Sequence, residues 1–113
     1  MRCFENQFDV RHYDLNAVSL LREERFSDEC WGNDSCPRFE KRVGGPKLKI
    51  NVLVEAKNVE SREFFGDPQF TAIVEKLYPI GCVEEEEVFY SESIYDLLND
   101  VKKFCPTVDF AAS

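Results

Sequence analysis

Histidine, methionine and tryptophan each occur once in these 113 residues. A single imidazole leaves little room for histidine-based acid–base chemistry. No run approaches the ~18 apolar residues of a membrane span. The opening "MRCFENQFDVRHYDL" carries a charge every few residues and lacks the apolar core of a signal peptide. No C-x-x-C pair occurs among the five cysteines, Cys3, Cys30, Cys36, Cys82 and Cys105. An odd count without paired spacing implies free thiols rather than a disulfide framework, and so a soluble, cytoplasmic protein in a reducing compartment. The one conceivable ligand set is Cys30 and Cys36 with Cys3 or His12. It lacks the tight ligand pairs of structural zinc sites, so no metal and no cofactor are expected. Paired with Cys3 or Cys30, His12 would make a nucleophile and base, but no local motif supports that. No phosphate-cradling glycine loop is present either, because Gly44-Gly45 lies between two strand candidates rather than between a strand and a helix.

Basic residues are scarce where acids gather. The formal net charge is −8, which favours basic partners and disfavours direct binding of nucleic acid, whose phosphates are met by Lys and Arg. Residues 1–46 carry nine acids and seven bases; residues 47–113 carry thirteen and seven. Between Glu84 and Asp100 stand seven acids and no base.

What remains is ordinary globular composition, 43% hydrophobic and 13% aromatic with ten Phe, enough for one domain with a modest core over 1–113. Phe4, Phe8 and Val10 alternate with polar neighbours and read as a first strand. Asp14 is a candidate N-cap for a helix carrying Ala17, Val18, Leu20 and Leu21. An irregular cysteine-bearing loop follows at about 27–38. Phe39–Val43 and Lys47–Lys57 flank Gly44-Gly45-Pro46 and read as a hairpin. Asp67-Pro68 reads as a helix start, with Phe70, Ile73, Val74 and Leu77 at helical spacing. Cys82–Tyr90 is a strand candidate. A last helix, capped by Ser91 or Ser93, carries Ile94, Leu97, Leu98, Val101 and Cys105. This order predicts an α+β fold of ferredoxin-like type, a βαββαβ two-layer sandwich with an additional C-terminal helix.

Two stretches bear on function. In "KLKINVLVEAK" the residues Leu48, Ile50, Val52, Val54 and Ala56 share one parity, which makes Glu55 and Lys57 the continuation of a polar strand face. A hydrophobic strand ending in Glu-x-Lys also resembles the signature of the PD-(D/E)xK nuclease superfamily. That resemblance implies a divalent cation held by two carboxylates, Lys57 beside the attacking water, and a supporting Gln, for which Gln69 stands in place. The partner carboxylate would have to be Glu40 or Asp34, because Pro37–Leu48 contains no Asp.

The other stretch is "CVEEEEVFYSE". Glu is depleted in strands and successive side chains alternate faces. These glutamates therefore sit in a loop, guard a strand edge, or form a surface for a basic partner. The third reading leads. It expects a small, non-enzymatic binding protein of inhibitor or immunity type that occludes a basic, nucleic-acid-processing protein. Its contacts would be Glu84, Glu85, Glu86, Glu87, Glu92, Asp96 and Asp100, with Trp31 as an anchor. The metal-dependent nuclease using Glu55 and Lys57 is the alternative; a domain that dimerises through its sheet is the second alternative.

Overall fold

The computed structural model describes residues 3–34, 36–43, 48–62, 66–77 and 83–104. Where a strand was expected, the chain opens with the short helix α1 (Phe4–Gln7) and a single 3-10 turn at Val10–His12. Phe4 and Phe8 stand one helical turn apart, a spacing compatible with either structure. The choice is made by side chains that take up backbone donors a strand would have used. Asn6 accepts from the Cys3 N–H at 2.9 Å, and Asp28 accepts from the Phe4 N–H at 2.9 Å. Phe4 is thereby set fully inside the core, against the rings of Tyr13 and Phe39.

Helix α2 (Leu15–Glu23) starts as its sequence implies, with Asp14 accepting from the N–H groups of Asn16 and Ala17 at 3.0 and 3.2 Å. Ala17, Val18 and Leu21 are buried beneath it. It ends in a Schellman turn: Phe26 N–H bonds Leu21 C=O and Arg25 N–H bonds Arg22 C=O. The residue in the left-handed position is Arg25, with φ 66°, where glycine is usual.

Five strands follow: β1 (Ser27–Asp28), β2 (Arg38–Val43), β3 (Leu48–Val54), β4 (Phe70–Leu77) and β5 (Val83–Ser91). They form one antiparallel sheet in sequential order, β1-β2-β3-β4-β5. The chain is α+β, but the sheet is a meander and not the βαββαβ arrangement. The difference lies in residues 70–77. Phe70, Ile73, Val74 and Leu77 fit a helical stripe, yet Phe70, Ala72 and Val74 fit a strand equally well, and these three are the buried ones. Thr71, Ile73 and Val74 are β-branched and prefer the pleated backbone. Seven cross-strand pairs with β3 then decide the outcome. Asp67-Pro68 caps no helix; the Asp67 carbonyl instead accepts from Arg62. The β2–β3 hairpin is present, and its Gly44-Gly45-Pro46 loop lies outside the described residues.

Helix α3 (Ile94–Phe104) closes the fold, with Ser93 Oγ accepting from the Asp96 N–H at 3.4 Å. Its buried residues Ile94, Leu97, Leu98 and Val101 join one core with Phe39, Ile50, Val52, Val54, Phe70, Ala72 and Val74. The three described α-helices thus cover the same sheet face. Each fully buried aliphatic or aromatic side chain there contributes about 1.5–3 kcal/mol. Lys41 also points to this inner side: it is 3% exposed, its ammonium donates to the Glu24 carbonyl, and it lies 5.6 Å above the Phe26 ring. No described element covers the other face.

Candidate functional site

β5 forms one edge of the sheet, with β4 as its only strand neighbour among the described residues. The glutamate run therefore lies in a strand and not in a loop. Glu86 pairs in register with Glu75 on the uncovered face; Glu87 pairs with Val74 on the helix-covered side. Both are exposed at the open edge. For Glu84 and Glu85 the backbone lies in β5, and their side chains are outside the described set.

Helix α3 sets Asp96 and Asp100 beside this edge. At 100° per residue, Lys102 and Phe104 lie on opposite flanks of the helix. Lys102 reaches Glu24, next to α2, at 3.0 Å, whereas the Phe104 ring meets Phe89 of β5 at 5.6 Å. Asp96 and Asp100 fall between the solvent pole and the Phe104 flank, on the β5 side. Four exposed carboxylates thus border one edge of the molecule.

The surface is less uniform than the sequence run. Lys76 pairs in register with Glu85, and Lys103 is exposed one helical turn beyond Asp100. A cavity of about 320 Å³ opens there, with Leu48, Val74 and Phe104 as apolar walls and Glu86, Glu87 and Lys76 as polar lining. Phe104 is 48% exposed. This half-open apolar notch between carboxylates was not foreseen, because it is assembled from β3, β4, β5 and α3.

Glu92 has a different position from its six companions. Its carboxylate accepts from both terminal nitrogens of Arg62, at 3.1 and 3.2 Å, and from the Gln69 N–H at 2.8 Å. Burial pushes its pKa up, but the Arg62 and Gln69 bonds outweigh this and hold it below the usual range. The Arg62 side chain is 3% exposed and also donates to the carbonyls of Ala56, Lys57 and Asp67. Arg62 therefore ties the segments leaving β3, entering β4 and leaving β5. It carries no sequence motif, and only its contacts reveal it.

Trp31 lies elsewhere. It follows β1, at the opposite edge of the sheet from β5, and lines a cleft of about 360 Å³ with Asp28, Glu29, Cys30, Asp34 and Arg38. It is 39% exposed, so the fold does not join it to the acidic edge. Asp28 beside it is an internal fastener: its carboxylate accepts from the N–H groups of Phe4 and Cys30 and from Arg22. Arg22 also forks onto Glu5 at 2.6 and 2.7 Å.

Glu55 and Lys57 fall beyond the end of β3. Glu55 is buried, contrary to the wet strand face expected for it, and its N–H bonds the Gln69 carbonyl at 2.7 Å; Lys57 is exposed. Gln69 precedes a strand instead of opening a helix. Glu40 pairs in register with Asn51, four residues before Glu55, which puts the two backbones about 13 Å apart along the strand. That is too far for one cation. Asp34 is exposed in the cysteine-bearing loop. No group of three His, Cys, Asp or Glu able to hold a metal occurs among the described residues.

His12 is exposed with Nε2 3.6 Å from Asp9. Cys3 and Cys30 are free thiols and Cys36 is buried; Cys82 and Cys105 lie outside the described residues. Burial, with Asp28 alongside, pushes the Cys30 thiol far up, so it is a poor nucleophile. No described helix is long and apolar enough to cross a membrane.

Compared with known protein families, characterised proteins and solved structures, the chain matches none.

Proposed function

We propose that this chain is a small, non-enzymatic binding protein that engages a basic protein through the β5 edge and the adjoining flank of α3. The observation that carries this reading is the placing of exposed Glu86 and Glu87 at the notch walled by Leu48, Val74 and Phe104, with exposed Asp96 and Asp100 along the adjoining flank of α3. Carboxylates around an apolar recess suit the side chain of Arg or Lys, whose aliphatic stem buries while its charge is met at the mouth. The outer edge of β5, which no other described strand pairs, adds donors and acceptors that an extended segment of a partner can use. Charge speeds the encounter, and insertion into the notch limits dissociation. Phe104 and the notch take the anchoring role that the sequence had given to Trp31.

A basic partner of this description is a protein that itself handles nucleic acid, so the mode of action is occlusion by an inhibitor or immunity-type protein. The setting is the cytoplasm, where free thiols persist.

The test compares the wild-type chain with Glu86→Lys/Glu87→Lys/Asp96→Lys/Asp100→Lys as immobilised baits. Each is exposed to extract of the native host at low and physiological salt. Basic proteins retained by the wild type should be lost from the reversed bait, with association at least tenfold slower for the isolated partner. The four sites are exposed, so the melting temperature should hold or rise as repulsion is relieved. Retention of the same proteins by both baits would remove the reading.

A further inference from the structure

We propose that the uncovered sheet face is a self-complementary surface that pairs two copies of this chain about a two-fold axis parallel to the strands. The argument comes from register. Arg42 pairs with Lys49, Lys49 with Glu75, and Glu75 with Glu86. On the uncovered face these four form one row across β2, β3, β4 and β5, reading plus, plus, minus, minus.

The row is held in place. Glu40 lies between Arg42 and Lys49, at 3.6 and 3.5 Å, and as a single carboxylate it cannot neutralise both. Glu75 receives the side-chain amide of Asn51, which is 6% exposed, at 3.1 Å. Behind the row the face is mixed: Leu53, Ile73 and Val88 are half-buried and Tyr90 is 64% exposed, alongside Arg38, Glu40, Asn51 and Thr71.

A two-fold axis lying in the interface along the strands reverses the order of strands but keeps each row opposite itself. The basic half of one copy then meets the acidic half of the other. Arg38, in the row with Leu53, Thr71 and Tyr90, comes over Tyr90 of the second copy, a cation–π arrangement. An axis across the strands would instead set Arg42 over Arg38. Charge selects the first geometry, which also lets the two sheets pack at the shallow angle that strand twist favours.

The magnitude sets the class of complex. Four strands at about 4.8 Å spacing, with three rows of side chains, present roughly 20 by 20 Å, or about 400 Å² per copy. Stable interfaces bury about 800 Å² per partner. The dimer is therefore weak, with a dissociation constant on the order of 10–100 μM and a loss of affinity in high salt.

Sedimentation of the full chain up to about 1 mM at low salt tests this, with two charge variants. Arg42→Glu/Lys49→Glu makes the row wholly acidic; Glu75→Lys/Glu86→Lys makes it wholly basic. Each should be monomeric alone at a concentration where the wild type is dimeric, and an equimolar mixture should recover the dimer. Circular dichroism melting checks that both fold. Should one not, Tyr90→Ser removes an exposed side chain outside the core and should weaken the dimer at least tenfold. A wild type monomeric at 1 mM, variants that associate as it does, or a mixture that stays monomeric would each overturn the proposal. Reversal of Arg42 and Lys49 leaves Glu87, Asp96 and Asp100 intact, so dimer loss is separable from loss of a basic partner.

Discussion

Replacing Arg62 by Ala should be among the most damaging single changes available in the loops of this protein. The guanidinium donates to three carbonyls, those of Ala56, Lys57 and Asp67, at 2.8–3.3 Å, and to the carboxylate of Glu92. With the side chain gone, the carbonyls lose a charged donor at a site where the arginine was 3% exposed. Each imperfectly re-solvated carbonyl costs about 1 kcal/mol, and lost packing of the arginine stem adds about 1. The Glu92 contribution is smaller, because that carboxylate is 63% exposed and water replaces its partner. The sum is about 3–5 kcal/mol, against about 5–15 for a whole domain, or on the order of 12–20 °C in melting temperature. Urea unfolding followed by far-UV circular dichroism and by the fluorescence of Trp31 measures it. Two controls separate geometry from charge. Arg62→Lys keeps the charge but cannot reach carbonyls in divergent directions, so it should lose about 2–3 kcal/mol. Glu92→Gln keeps an acceptor for the Gln69 N–H and should lose about 1 kcal/mol or less. An Arg62→Ala loss below about 1 kcal/mol, or a Glu92→Gln loss equal to it, would refute the reasoning.

Two further outcomes follow from the N-terminal half. Arg25→Gly should stabilise the chain by about 0.5–1 kcal/mol, since φ 66° strains a residue with a Cβ and suits glycine; a loss in urea unfolding would mean that the Arg25 side chain holds a contact worth more than the strain. Acid should loosen the N-terminal segment. Burial raises the Asp28 pKa, but the bonds from Phe4, Cys30 and Arg22 together bring it below the ordinary value, and Arg22 likewise lowers Glu5. The unfolded chain thus binds more protons in that range, so this stabilisation is complete above the ordinary carboxylate pKa and is lost as pH falls through the folded value. The gap between wild type and Asp28→Asn in urea should be widest near pH 7 and shrink below about pH 4; a gap independent of pH would show that Asp28 is not held in its charged form.

The elements legible in the sequence were those whose signals agree across levels. Asp14 caps α2 and Ala17, Val18 and Leu21 line it; Ile94, Leu97, Leu98 and Val101 leave one reading for α3. The β2–β3 hairpin has alternation on both sides of a turn sequence. The two misread segments carried patterns that fit two periods at once. Phe4 and Phe8 suit a strand or one helical turn, and the acceptor that decides, Asp28, lies 24 residues away. Phe70 to Leu77 suits both structures too, and pairing with β3 settles it. Exchanging a helix for a central strand converts a split βαβ expectation into a meander, so one local ambiguity changed the topology while leaving the α+β class intact.

The candidate site shows the same division between charge that is visible and charge that is placed. A run of seven acids is evident on sight, but its value for binding depends on what lies across from each one. Glu92 is spent on Arg62, Lys76 stands opposite Glu85, and Glu86 and Glu87 leave β5 on different faces. What survives is smaller and more structured: Glu86 and Glu87 at an apolar notch, with Asp96 and Asp100 on the flank of α3 beside it. The plus-plus-minus-minus row is harder still to read, because Arg42, Lys49, Glu75 and Glu86 come from four strands and become neighbours only through three registers. Charge composition constrained which partners to consider. Register determines which of these charges can act together: it turns Glu87 to the helix-covered side and sets Glu86 in the row of the uncovered face, so the two proposed surfaces meet at Glu86 and differ in their other members.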